Sequence, residues 1–120
     1  MRNFRSLTIW NNSRILVKKI YTFSQQLPDS EKFGLTSQLR RASISVATNI
    51  AEGAARKSDK EFIQFLYISL GSIAEIETLI IITHELKYVN PDNIGGIEDL
   101  FVENRKIIIG LIKYLKNKKK

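Results

Sequence analysis

The chain has no cysteine, which excludes disulfides and thiolate metal sites and agrees with a cytoplasmic location. It has one histidine, His84, with Ile81 three positions before it. Helix bundles that hold paired iron need Glu-x-x-His on facing helices, so this chain lacks the ligands, and neither a metal nor a cofactor is expected. Ser43, Ser45 and Ser69 are conceivable nucleophiles for His84, yet no spacing selects one of them, and no glycine loop of the phosphate-cradling kind occurs. The chain does not read as an enzyme. Long hydrophobic runs are also missing. The longest nearly uncharged one, Thr78 to Thr83, is far short of the roughly 20 residues that cross a bilayer. The N-terminus shows no apolar segment before a small-residue cleavage site, so neither a membrane partner nor an export signal is expected.

Acidic residues are scarce where basic ones gather. The net charge is +7, and residues 1–27 hold Arg2, Arg5, Arg14, Lys18 and Lys19 with no carboxylate. Residues 58–90 reverse the balance with five carboxylates against two lysines. Lys113, Lys116, Lys118, Lys119 and Lys120 form a second basic region. An anionic partner follows as one reading; lysines that complement the dipole of a last helix are the plainer one. The length of 120 residues, with 43% apolar and 26% charged side chains, suits one soluble domain spanning 1–120.

Periodicity points to helices throughout. From about Ser6 to Leu27, Leu7, Trp10, Val17, Ile20, Tyr21 and Ser24 recur at helical spacing, and Pro28-Asp29-Ser30 ends the segment. In the second helix Leu35, Leu39, Ala42, Val46 and Ile50 make one stripe, with Arg41, Ser45, Thr48 and Glu52 opposite. Ile44, Ala47 and Ala51, headed by Arg40, form a further stripe that widens the apolar arc beyond one core's needs. Gly53 is placed to close this helix in a left-handed conformation. Ser58-Asp59-Lys60-Glu61 reads as a capping box opening a third helix that reaches about Tyr88.

That third helix has Phe62, Leu66, Ser69, Ile73, Ile76 and Ile80 on one stripe and Ile63, Leu70, Ala74 and Ile81 on another. Gly71 and Ser72 lower its propensity by about 1 kcal/mol, which close packing of a neighbouring helix would explain. Asn90-Pro91 offers a cap, Gly95-Gly96 a break, and Leu100, Ile107, Ile108, Leu111 and Leu115 a fourth helix. Short connections favour an all-α, antiparallel up-down-up-down four-helix bundle. The surplus apolar width on the second and third helices predicts a homo-oligomer.

Glu77 falls between the two apolar stripes, where an unpaired charge would be costly. Arg40 and Arg41 are its candidate partners through bidentate pairing, and Glu75 could serve the other arginine or Arg56. The rival reading has both arginines facing phosphate.

The segment SQLRRASISVATNIAEGAARKS, followed by FLYISLGSIAEIETLI, resembles the four helix bundle protein family, also called 23S ribosomal RNA intervening-sequence proteins. Leu39-Arg40-Arg41-Ala42, Asn49-Ile50-Ala51-Glu52-Gly53, Arg56, and Gly71-Ser72 with Glu75 and Glu77 carry the resemblance. Val46-Ala47-Thr48 departs from the Ile-Pro-Ser of many relatives. The resemblance implies an antiparallel bundle, often a ring of five, encoded in some bacteria within insertions in large-subunit ribosomal RNA genes. It implies no known reaction. A related group, the accessory variability proteins of diversity-generating retroelements, is similar to a basic pentameric bundle that associates with nucleic acid and a reverse transcriptase.

Three functions fit these features. In the first, a basic ring binds RNA or DNA through phosphates using Arg14, Lys18, Lys19, Lys113, Lys116 and Lys118, with little base reading because no aromatic-rich platform occurs. In the second, the ring is a scaffold for a protein partner. In the third, Arg41, Glu52 and Arg56 of several subunits build a reactive groove, against which stands plain intersubunit salt bridging.

Overall fold

Helical periodicity is realised along nearly the whole chain. The computed structural model describes residues 2–90, 92 and 95–118, and among these there are four long helices and no strand: α1 (Thr8–Ser24), α2 (Leu35–Ala54), α3 (Asp59–Glu85) and α4 (Gly95–Asn117). Single 3-10 turns at Phe4–Ser6 and Asp29–Glu31 precede α1 and α2. Helix α1 packs on α2 and α4, and α3 packs on the same two. With extents of 51 × 23 × 20 Å, the chain has the proportions of an elongated helix bundle.

The α1 core shares Ile20 and Ser24 with the expected stripe and otherwise falls beside it. Ile9, Ser13, Leu16, Ile20, Phe23 and Ser24 are buried, whereas Trp10, Val17 and Tyr21 are only half-buried. Two apolar stripes lie side by side on α1, and periodicity alone has no means of ranking them. Trp10 instead meets the edge of Phe4, with ring centres 5.0 Å apart, and so anchors the first turn of the chain.

On α2, Leu39, Ala42, Val46 and Ile50 are buried as the pattern requires, and Ser43, Gly53 and Ala54 join them. Leu35 is half-buried. Gly53 does not terminate the helix in a left-handed conformation, because α2 continues through it to Ala54 and no described glycine has a positive φ. Its role is spatial. A methyl group there would lie 2.6 Å from Phe65 Cβ and 2.9 Å from Phe62 Cδ1, closer than carbon atoms tolerate.

The start of α3 follows its sequence signature in part. Ser58 Oγ accepts from the amide of Glu61 at 3.2 Å, while its hydroxyl donates to Glu61 Oε2 at 3.0 Å; the carboxylate thus takes the side chain rather than the backbone N–H. All six residues of the expected stripe from Phe62 to Ile80 are buried. The helix ends at Glu85, short of Tyr88, because Lys87 takes a left-handed conformation (φ 63°). The amide of Tyr88 then reaches back to Thr83 O at 3.1 Å and that of Lys87 to His84 O at 2.9 Å, the double closure of a Schellman motif. Beyond it, the Tyr88 hydroxyl donates to Glu31 Oε2 at 3.1 Å.

Gly71 corrects the expectation of close packing at mid-helix. It is exposed, and a Cβ there would meet nothing within 4 Å. Its neighbour Ser72 is the one that packs, donating to Ser45 Oγ at 3.0 Å, and one turn away Ser69 donates to the Val46 carbonyl at 3.0 Å. These bonds satisfy buried hydroxyls across the α2–α3 seam.

Helix α4 incorporates Gly95 and Gly96 into its first turn instead of breaking there. Of the expected cap, Asn90 Oδ1 accepts from the amide of Asp92 at 3.1 Å; Pro91 lies outside the described residues. Ile97, Phe101, Ile108, Ile112 and Leu115 are buried, and Leu100, Ile107 and Leu111 flank them half-buried. Asn104 shares this core at 2% exposure. Its amide nitrogen donates to the Leu100 carbonyl, while Oδ1 has no protein partner.

Much apolar surface is left over. Ile68, Ile81 and Ile82 on α3, Ile44 on α2 and Val102 on α4 remain exposed. Among the described residues, α3 alone is long and apolar enough to cross a membrane. Glu75 and Glu77 lie in the middle of that stretch, where a bilayer would penalise them.

The two glycines of opposite environment make a test. Gly53→Ala should destabilise the fold by about 1–3 kcal/mol through overpacking, and Gly71→Ala should stabilise the isolated chain by about 1 kcal/mol through helix propensity. Urea melts of the two variants check both signs; equal effects would contradict the packing described here.

Candidate nucleic-acid interface

The cations of this chain come together mainly through folding. Arg2 from the N-terminal segment, Arg56 and Lys57 from the α2–α3 connection, and Lys118 beyond α4 line one open cleft of about 620 Å³ together with Asp59. Three stretches far apart in sequence meet there because the start of α3 lies beside both the first residues and the end of α4. Arg2 is the tie. It pairs with Asp59, donates to the Arg56 carbonyl at 2.9 Å, and lies 4.7 Å above the Phe62 ring. Lys118 Nζ approaches the other carboxylate oxygen of Asp59 at 3.3 Å. The Arg56 guanidinium stacks 4.7 Å over Phe65, and both Arg56 and Lys57 are exposed.

One carboxylate therefore stands among four cations. The hydrogen bond from Arg2, then that from Lys118, holds the Asp59 carboxyl below its ordinary value of 3.8. Close by, Lys116 Nζ donates to the Tyr67 hydroxyl at 2.8 Å, and Lys113 is exposed on the same helix. Lys119 and Lys120 lie outside the described residues.

The expected α1 cations are exposed but occupy different surroundings. Arg14 lies 4.6 Å over Trp10, and with Lys18 it rims an apolar groove of about 260 Å³ floored by Val17, Ile44 and Ala47. Lys19 faces the other way, toward Phe23 and Ile97 at the start of α4. The six cations singled out in the sequence are thus not one cluster. Sequence reading missed Lys57, and it counted Arg2 only toward overall charge. The adjacency Arg56-Lys57 was the available signal.

The proposed ion pairs are redistributed within the chain. Glu77 pairs with Arg105 of α4, not with either arginine of α2. It is half-exposed, so its desolvation is milder than the apolar stripes around it imply. Arg40 Nε donates to Ser24 Oγ at 2.8 Å and its guanidinium lies 4.6 Å over Tyr21, which joins α2 to α1. Arg41 and Glu75 do come together, lining one shallow depression with Gln38 and Ser45. Glu52 is exposed. Arg41 stands 15 residues before Arg56, about 22 Å along a helix, so Arg41, Glu52 and Arg56 form no single group within one chain.

The Asp59 clasp makes stability pH-dependent in a defined direction. A carboxyl whose folded value is lowered contributes stabilisation that is full above 3.8 and lost as pH falls through the lower, folded value. Urea melts should therefore show wild type more stable than Asp59→Asn at neutral pH, with the gap closing on acidification below 3.8. A gap that persists at the lowest pH would sink the assignment.

Comparison with known proteins gives the chain relatives. A family model described as 23S rRNA-intervening sequence protein matches residues 5–110. A crystal structure of a protein of unknown function from the S23 ribosomal protein family of Bacteroides thetaiotaomicron is similar in fold, with a TM-score of 0.80 and 24% identity, covering 88% of this chain and 99% of that one. No curated protein matches.

Proposed function

Since the chain belongs to the 23S rRNA-intervening sequence protein family, we propose that it is a non-enzymatic, cytoplasmic, homo-oligomeric bundle that binds nucleic acid through phosphates. The observation that carries this reading is the gathering of Arg2, Arg56, Lys57 and Lys118 at one end against a single carboxylate. Such a surface attracts a polyanion of any sequence. Arg14 and Lys18 on the flank, with Lys113 and Lys116, extend it for a strand longer than the end itself, whereas Lys19 lies beside the start of α4, away from that end.

The four helices run antiparallel, up-down-up-down, in this reading. Along the α2–α3 seam Val46 meets Ser69 and Ser45 meets Ser72; along α3–α4, Tyr67 meets Lys116 and Glu77 meets Arg105. In each case numbers rise on one helix as they fall on the next, which supports the arrangement.

Association of copies follows from the surplus apolar surface. The Ile44 groove and the exposed residues of α3, Ile68, Ile81 and Ile82 with an open Gly71, are the surfaces that burial against another copy would relieve. A closed ring, with five copies as the family resemblance implies, would repeat the basic end around an axis and raise avidity for one long strand.

A second reading is a scaffold for a protein partner, favoured by the Ile44 groove itself. Its apolar floor and the Arg14 and Lys18 rim suit an acidic amphipathic helix. A discrete protein that co-purifies without nucleic acid would favour it.

Binding to single-stranded RNA should weaken by about 50-fold between about 50 and 200 mM salt if four phosphates are neutralised. Replacing Lys113 and Lys116 by glutamine should flatten that salt slope. Absence of binding at low ionic strength would end the nucleic-acid reading. Light scattering should give a mass of several chains at micromolar concentration, reduced by Ile44→Glu; a monomeric wild type would end the oligomer.

A further inference from the structure

We propose that the cleft at the basic end is a seat for a phosphate monoester, the group that ends a phosphorylated RNA or DNA strand. This rests on the nucleic-acid reading above and narrows it from a charged surface to one recognised group.

Charge balance comes first. Asp59 is held on both oxygens, Oδ1 by Arg2 and Oδ2 by Lys118, so the only carboxylate lining the cleft among the described residues is already neutralised. Arg56 and Lys57 stand beside it, exposed and adjacent in sequence. Among the described residues the cleft has an excess of three positive charges, four cations less one carboxylate. A monoester carries about −1.5 to −2 at neutral pH, whereas each internal phosphodiester carries a single charge. The dianionic end group is therefore the better match for a concave site of this charge.

Geometry supplies the second reason. The Arg56 guanidinium carbon lies 4.7 Å from the centre of the Phe65 ring, a cation–π contact that restrains the side chain while its exposed N–H groups can donate to phosphate oxygens. Its backbone is held in turn, since Arg2 donates to the Arg56 carbonyl while resting on Phe62. Arg2 is thus a positioning residue, already committed to Asp59 and the α2–α3 connection, and Arg56 with Lys57 are the groups left to grip a ligand. A preorganised fork loses less on binding than a mobile lysine tail. The volume of about 620 Å³ also exceeds one phosphate, leaving space for the sugar that bears it.

The experiment compares one short single-stranded RNA with a 5′-phosphate and the same RNA with a 5′-hydroxyl, by fluorescence anisotropy, on the full chain. Inorganic phosphate and pyrophosphate are titrated separately by calorimetry. The phosphorylated strand should bind about tenfold more tightly, the gain expected of a charge-assisted, bidentate contact. Lys57→Glu and Arg56→Gln should each remove that advantage while leaving the melting temperature near wild type. Lys57→Glu, at an exposed position, keeps the test free of folding effects. Equal affinity for the two strands, with no response to pyrophosphate, overturns the proposal but leaves general nucleic-acid binding standing. Pyrophosphate binding that Lys57→Glu abolishes, without binding of either strand, keeps the phosphate seat and removes the nucleic-acid reading. No binding of any probe removes both.

Discussion

The missing side chain at Gly53 is the constraint on which the rest of the molecule turns. Because α2 has no Cβ there, its last turn can press directly onto Phe62 and Phe65 of α3, and the connection between the two helices can be as short as residues 55–58. Those same rings are the platforms on which Arg2 and Arg56 lie. One close contact between backbone and aromatic side chain therefore sets the α2–α3 pairing and, through stacking, the position of the charges at that end. Interiors packed to crystal density transmit such a constraint without slack.

The seam that begins at Gly53 continues through small and hydroxylated residues. Ser45 on α2 and Ser69 and Ser72 on α3 let the two helices approach, and their hydroxyls find a carbonyl or one another. Helix α3 thereby commits its stripe from Phe62 to Ile80 to the core. Off that stripe Ile63 still packs against the core, while Ile68, Ile81 and Ile82 stay exposed. The polar cost inside the bundle falls elsewhere, on Asn104, whose Oδ1 is buried without a protein donor. An unmade hydrogen bond of that kind costs about 1–3 kcal/mol, and nothing in the surrounding helices explains why the chain keeps it.

Different parts of the molecule were legible to different degrees. The α3 stripe was readable residue by residue, since 27 helical residues give the period many repeats to establish itself. On α1, Ile9-Leu16-Phe23 and Trp10-Val17-Tyr21 are equally apolar, and the sequence contains nothing that says which faces inward. The cap at Ser58 was visible because its bonds are local. Gly53 and Gly71 were both misread, as a stop and as a contact, because a glycine signals missing bulk without saying what occupies the space. The cation beside Glu77, Arg105, lies 28 positions away, and only the packing of α4 on α3 selects it over Arg40.

The sequence by itself determined the four helices, the core stripes of α2 and α3, the surplus of apolar surface and the imbalance of charge, because each depends on spacings of three and four residues or on simple composition. The tertiary structure decided which cations share a place. Arg2, Arg56, Lys57 and Lys118 meet only because the N-terminal segment and the end of α4 both return to the start of α3. That meeting is a matter of distance in space, and a charge's strength falls with distance in space, not with separation along the chain.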